Sequence, residues 1–293
     1  MPELPEVETV RRGLAPLVEG ARIRKATLNR KDLRFPFPEG FAEALTGATI
    51  ETTARRAKYL LFRLSTGKTW LSHLGMTGSF RFAELQFKEP SRYYEPTVDE
   101  KHDHVVLELE TGREGVLNLI YSDARRFGFM DLFTRDEDSP YLLGLGPEPL
   151  GNSFNAEEMA ERFKGKKAPM KAALLDQRVV AGLGNIYVSE ALHRAHILPT
   201  LPAARLVLKS GKPSQRLELL ADGVRTVLIE AIEAGGSTLR DFRSTDGSSG
   251  YFQHRFAVYD REGEPCPTPQ CRGIIKRIVQ SGRSTFYCPV CQH

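Results

Sequence analysis

All four cysteines of this chain of 293 residues lie in its last 28, spaced Cys266-x4-Cys271-x16-Cys288-x2-Cys291. Two close pairs separated by a hairpin-sized insert are the sequence form of a tetrahedral four-thiolate zinc site. Each pair sets two thiolates on one tight turn, and a hairpin between them brings the turns together. IIKRIVQ and STFYC are its predicted strands, with Ser281-Gly282-Arg283 at the turn. Four thiolates fill the shell, so the expected ion is a single structural zinc with no open position for chemistry. Two disulfides are the alternative in a secreted chain; in a cytosolic one disulfides are rare.

The same segment carries Arg272, Lys276, Arg277 and Arg283 and no Asp or Glu. A basic stretch of this kind points to a polyanion partner, against the alternative of a solvated surface loop. The net charge of +4 is too small to choose between them. Hydrophobic residues make up 41% and charged residues 27%, the balance of a globular chain. No apolar run approaches the ~20 residues of a membrane helix, and the acidic N-terminus (Glu3, Glu6, Glu8) is unlike a signal peptide. A soluble, cytosolic protein with no membrane partner is expected.

The hydrophobic period changes along the chain. Val7, Val10, Leu14 and Val18 recur at spacings of three and four, which predicts a helix over 2–19. Its acidic first turn suits the helix dipole, and Pro2 and Pro5 suit a helix start. Residues 21–134 read as short strands, among them YLLFRL (59–64), HVVLELE (104–110), GVLNLIYSD (115–123) and RFGFMDLF (126–133), the pattern of a sandwich or barrel. The polar stretch 83–100 reads as a long loop. DEDSPYLLGLGPEPLG (136–151) is dense in Pro and Gly and reads as a linker. Helical spacing then takes over: FNAEEMAERFKG with a cap-like Asn155, two helices around a turn at Gly182–Gly184, and a long amphipathic helix over 216–236. The Gly/Ser-rich stretch 235–255 reads as a loop. The expected division is 2–135 β-sandwich, 136–150 linker, 151–236 helical domain, 237–255 loop and connection, and 256–293 zinc finger.

The chain opens MPELPEVETV. Most Met-Pro starts merely open a helix. Once Met1 is removed, however, Pro2 presents a secondary amine, and an α-amino group has a pKa near 7.7–8. Such an amine attacks an electrophilic carbon and forms an iminium, an electron sink. Glu3 beside it is placed for general acid–base work. Other stretches sharpen this: RRAKYL (55–60) with Lys58, HLGMTGS (73–79) with Met76, KHDH (101–104) with His102, SDARRFG (122–128) with Arg125 and Phe127, and GLGNIY (182–187) with Asn185. Each alone has a plain structural reading.

Together with LGPEPL, DFRSTDG, GYF and the four-cysteine finger, these motifs stand in the order found in bacterial formamidopyrimidine-DNA glycosylases (8-oxoguanine DNA glycosylases), and the chain resembles that family over nearly its whole length. The resemblance implies an α+β, multidomain fold: an N-terminal β-sandwich opened by a helix, a helix-two-turn-helix domain, and a C-terminal β-hairpin zinc finger. It implies a base-excision repair enzyme on damaged double-stranded DNA, with the lesion flipped out of the duplex. DNA then lies in a cleft between the domains. Pro2 is the implied nucleophile on C1′ and Glu3 the proton donor to the opening sugar. Lys58 belongs to glycosylase and β-elimination chemistry, and Arg283 grips the lesion phosphate for δ-elimination. Met76, Arg125 and Phe127 match the residues that fill the gap left by the flipped base; Arg125 also faces the orphaned partner base. His102, Lys167, Asn185 and Tyr251 match phosphate contacts, and residues 243–251 match a lid over the extruded base. A monomer is expected.

Three features depart from the common family pattern: the x4 between Cys266 and Cys271, Ala124 before Arg125, and the length of the 83–100 loop. None touches the chemistry. Two rival readings remain: an endonuclease VIII-like enzyme for oxidised pyrimidines, and a damaged-DNA-binding protein without catalysis.

Overall fold

The first turn of the chain explains how it starts. Pro2 and Glu3 precede α1 (Leu4–Val18), and Glu6 Oε2 accepts the Glu3 backbone N–H at 2.9 Å, satisfying a donor that the helix start leaves over. Val7, Val10, Leu14 and Val18 form its buried stripe. The helix is two residues shorter at its start than its periodicity predicts, because Glu3 is the cap and has extended backbone.

In this computed structural model, residues 1–83, 99–112, 114–237 and 250–293 are described. Most of the polar 83–100 stretch and of the lid-like 243–251 stretch lies outside them. The chain divides into two compact units, Met1–Leu143 with Gly235–Tyr251, and Gly144–Ala234 with Phe252–His293.

In the first unit β1 (Arg22–Leu28) is followed by α2 (Phe41–Leu45), β2 (Ile50–Arg56), β3 (Tyr59–Leu64), β4 (Thr69–His73), β5 (Ser79–Phe82), β6 (Asp103–Thr111), β7 (Gly115–Ser122) and β8 (Phe129–Phe133). They form two four-stranded antiparallel sheets, ordered β1-β6-β7-β5 and β2-β3-β4-β8. A shared core takes the α1 stripe, Leu60, Phe62 and Trp70 of one sheet, and Phe80, Leu107, Leu119 and Tyr121 of the other. Trp70 stacks on Phe62 at 4.1 Å and 18°; burial of each such side chain contributes roughly 1.5–3 kcal/mol. The expected strand 126–133 is shorter at its start. Residues 123–128 form a loop instead, with Arg126 at φ +54° and Gly128 N–H donated to the Asp123 carboxylate rather than to a strand.

The second unit contains α3 (Ala156–Phe163), α4 (Met170–Leu175), α5 (Asn185–Arg194), α6 (Gln215–Glu233), and a hairpin of β9 (Lys276–Gln280) and β10 (Arg283–Tyr287). Asn155 Oδ1 caps α3 by accepting Glu158 N–H at 2.8 Å, and Ser214 caps α6. The connection between α4 and α5 is longer than its two glycines suggest. Gln177 supplies the hydrogen bonds there: its Nε2 donates to the Leu175 and Leu183 carbonyls, and its Oε1 accepts Gly182 N–H. The α+β class, the helical region and the hairpin finger follow the expected order. Among the described residues no helix is long and apolar enough to cross a membrane.

Candidate functional site

The first unit holds the N-terminal turn. Pro2 is buried, and Glu3 and Glu6 are 3% and 2% exposed, while Met1 is exposed. Burying two carboxylates is costly unless they are hydrogen-bonded. Glu6 accepts Glu3 N–H through one oxygen, and Ser237 N–H (2.8 Å) and Oγ–H (3.0 Å) through the other. Ser237 pairs with Tyr251 in an isolated bridge. The helix start is thereby tied to Ser237, the last described residue before 250, and through the bridge to Tyr251. Tyr251 itself is exposed.

Lys58 is buried in the turn between β2 and β3, beside Ala57 at φ +52°. Arg55 Nη1 donates to the Ala57 carbonyl at 2.8 Å, and Arg55 Nε lies 3.4 Å from Glu8 Oε2 on α1. The Lys58 turn is thus held against α1, the helix that Pro2 and Glu3 precede. Lys58 and Arg34 also lie close enough to His73 to add to the effect of burial, which pulls the His73 pKa to about 4. His73 is therefore neutral, and its Nδ1 accepts Gly75 N–H at 3.1 Å.

Met76 sits on the 74–78 loop between β4 and β5, half-buried. Arg125 and Phe127 sit exposed on the 123–128 loop between β7 and β8. The Arg125 guanidinium lies 4.8 Å over the Phe127 ring, a cation–π contact. His102 ends a short 3-10 turn (Glu100–His102), with Nε2 3.9 Å from Asp99 Oδ2.

The second unit gathers the remaining residues. Arg283, expected as the last residue of the turn, is instead the exposed first residue of β10. The carbonyl of its neighbour Ser284 accepts from Lys171 Nζ (2.7 Å) and from Asn185 Nδ2 (3.0 Å), and Lys171 also reaches Thr285 Oγ1 (2.7 Å). Lys171 is 1% exposed. Two side chains from α4 and α5 thus seat the hairpin that carries Arg283. Asn185, read from the sequence as a phosphate contact, uses its amide N–H for this task, and its Oδ1 is buried with no partner among the described residues. Lys167 is exposed.

The four cysteine sulfurs lie within 4.8 Å of one another, with Cys266–Cys291 and Cys271–Cys288 both at 3.7 Å. A tetrahedron with Zn–S near 2.3 Å has edges of about 3.8 Å, so the donor set fits zinc. The buried His193 of α5 adds its Nε2 at 3.4 Å from Cys266 Sγ and 3.3 Å from Thr268 Oγ1. Glu190, one turn earlier, accepts the backbone N–H groups of Ala257, Val258 and Tyr259 at 2.8–3.0 Å. Burial raises its pKa, and these bonds oppose the rise.

Sequence reasoning missed Lys171, Glu190, His193, Thr77 and Asp123. Lys171 carried one signal, a lone charge inside the apolar run APMKAALL. The others have partners far away in the chain and carried none.

Comparison with known proteins matches these units to one family. A family model described as the formamidopyrimidine-DNA glycosylase N-terminal domain matches residues 1–130. The H2TH domain of the same glycosylase matches 145–243, and a zinc finger found in FPG and IleRS matches 263–293. The formamidopyrimidine-DNA glycosylase of Rhodopseudomonas palustris strain BisA53 is 57% identical, and that of Rhizobium etli strain CIAT 652 56% identical, each over the whole of both chains. The chain belongs to the formamidopyrimidine-DNA glycosylase family. Among solved structures of the family, the MutM (Fpg) protein of Thermus thermophilus matches with a TM-score of 0.81 at 42% identity, over 99% of this chain and 98% of that one. The Lactococcus lactis Fpg, solved in complex with DNA containing an abasic site, matches with a TM-score of 0.81 at 36% identity over 99% of both.

Proposed function

We propose that the chain is a bifunctional DNA glycosylase and abasic-site lyase of base-excision repair, which removes oxidised purines such as 8-oxoguanine opposite cytosine and formamidopyrimidines from damaged double-stranded DNA. Burial of the Pro2–Glu3 turn at the start of α1 carries the reading. Terminal residues normally fray, whereas Pro2 and Glu3 are packed down at the head of α1.

The reaction begins after Met1 is removed. The Pro2 nitrogen bonds to C1′ of the flipped nucleotide, the N-glycosidic bond breaks, and the base leaves. Glu3 delivers a proton to the sugar oxygen as the ring opens. The resulting iminium acidifies C2′. Loss of a C2′ proton expels the 3′ phosphate, a second elimination expels the 5′ phosphate, and water then hydrolyses the iminium to free Pro2 and the sugar remnant, leaving a one-nucleotide gap with phosphates on both ends. Lys58, buried in the turn that Arg55 ties to α1, assists base loss and the first elimination. Arg283 grips the lesion phosphate, since a guanidinium is too weak an acid to give up a proton easily. Met76, Arg125 and Phe127 fill the vacated stack. His102, Lys167 and Tyr251 hold backbone phosphates, with Asn185 at the start of α5. Zinc, held by Cys266, Cys271, Cys288 and Cys291, supplies fold and no chemistry.

The domain division 2–135, 151–236 and 256–293 belongs to the same reading, supported by the three family matches. The enzyme acts as a monomer in the compartment that holds the bacterial chromosome, the cytosol.

The substrate test compares excision from duplexes carrying 8-oxoguanine opposite cytosine or thymine glycol opposite adenine. Faster release of 8-oxoguanine is expected. A preference for thymine glycol would move the chain to the endonuclease VIII type.

A further inference from the structure

Met76 belongs to one loop and Arg125 and Phe127 to another, and nothing in the sequence joins them. The structure does. Asp123 is fully buried. Its Oδ1 accepts the Thr77 hydroxyl at 2.5 Å, and Thr77 Oγ1 in turn accepts Arg125 N–H at 3.1 Å. Its Oδ2 accepts Gly128 N–H at 2.8 Å and lies 3.4 Å from Tyr121 Oη. Its backbone is fixed as well: Asp123 N–H donates to the His102 carbonyl at 3.0 Å, and the Asp123 carbonyl meets His104 Nε2 at 2.9 Å.

The two loops also touch backbone to backbone. A Cβ on Gly75 (φ +63°) would stand 2.3 Å from Gly128 N and the Phe127 carbonyl carbon, and one on Gly128 would stand 1.9 Å from Tyr121 Oη. Thr77 follows Met76 directly, so its hydroxyl sits at the root of one wedge residue and is bonded to the amide of another.

We infer that Thr77 and Asp123 form a latch, a pair of positioning residues that makes Met76, Arg125 and Phe127 one rigid gap-filling unit and so sets discrimination of the base opposite the lesion. The inference rests on the proposed glycosylase reading. The chain of donors runs one way, from Arg125 N–H to the Thr77 hydroxyl to the Asp123 carboxylate. Successive hydrogen bonds of this kind polarise and strengthen one another. The Thr77 hydroxyl gives its only proton to Asp123 and therefore offers Arg125 a lone pair in fixed orientation. Arg125 reads the orphaned base, and a bidentate reader held loosely at its backbone loses geometry before it loses contact. Asp123 touches no substrate; it acts through Thr77 and Gly128.

The test uses the full-length zinc-loaded protein and the pair Thr77→Val and Thr77→Ser. Valine keeps the shape and deletes the hydroxyl; serine keeps the hydroxyl. Two readouts are taken: the ratio of 8-oxoguanine excision opposite cytosine to that opposite adenine, and borohydride trapping on a single-stranded abasic oligonucleotide, which has no opposite base. Thr77→Val deletes both hydrogen bonds of the hydroxyl; the ratio is expected to fall about tenfold, on the order of one hydrogen bond's net worth because the Arg125 bond is exposed, with trapping retained. Thr77→Ser is expected to keep the wild-type ratio. A ratio within one protein does not depend on how much of the sample is folded. An unchanged ratio in Thr77→Val, or an equal fall in Thr77→Ser, overturns the latch. A wild type that neither excises 8-oxoguanine nor traps overturns the glycosylase reading and the latch with it.

Discussion

His73 shows how one half-buried side chain couples the candidate site to pH. Its Nδ1 holds the Gly75 amide, and its ring stacks on Phe129 at 5.1 Å and 17°. Burial, with Lys58 and Arg34 nearby, lowers its pKa from 6.5 to about 4. The unfolded chain therefore takes up this proton near pH 6.5 and the native one only near pH 4. The stability this represents is fully present above 6.5 and is lost as pH falls from there towards 4. Between pH 7 and pH 5 the loss is about 2 kcal/mol. Urea unfolding of wild type and His73→Gln at both values checks it, since the variant is expected to lack about that much of the pH dependence. Equal pH dependence in the two proteins would contradict it. His73 was not legible as a site residue, because its role depends on Gly75 and Phe129 packing around it. Thr77 and Asp123, 46 residues apart, were illegible for the same reason. Pro2, Glu3 and the cysteines were legible because their chemistry is written in residue type and spacing.

At the scale of elements, the finger hairpin depends on a buried donor as well as on a metal. Lys171 from α4 gives two hydrogen bonds to β10, next to Arg283. Lys171→Met leaves the Ser284 carbonyl and the Thr285 hydroxyl short of a buried donor, at a cost of about 1–3 kcal/mol. Faster amide hydrogen exchange is expected across Arg283–Tyr287 in that variant, and exchange of the whole hairpin when zinc is chelated. Unchanged protection in Lys171→Met would show that the thiolate site alone seats the hairpin. Most elements were legible from periodicity: YLLFRL is β3 residue for residue, and α6 ends before Gly235 as its sequence suggests. The places where the reading failed are those where a side chain takes over a backbone's partner. Asp123 ends the early part of the expected 126–133 strand by accepting Gly128 N–H, and Gln177 holds open the connection between α4 and α5. Alternation and helical spacing carry no record of such replacements.

For the whole molecule, the family assignment rests on identity spread over the entire chain, and the proposed chemistry rests on its first residues. In the first unit, Pro2 and Glu3 are buried at the head of α1, Glu6 ties that head to Ser237, and Arg55 ties α1 to the Lys58 turn. In the second, Lys171 and Asn185 hold the hairpin at Ser284 beside Arg283, and four sulfurs stand at zinc-binding separations. The central claim is that the chain's terminus is the nucleophile. Borohydride trapping on a duplex with 8-oxoguanine opposite cytosine tests it directly, with intact mass taken first to establish that Met1 is gone. A strong covalent adduct is expected from wild type, and an adduct and strand cleavage reduced by orders of magnitude from Pro2→Gly. Undiminished trapping and cleavage by Pro2→Gly, or no adduct from wild type lacking Met1, would contradict the account.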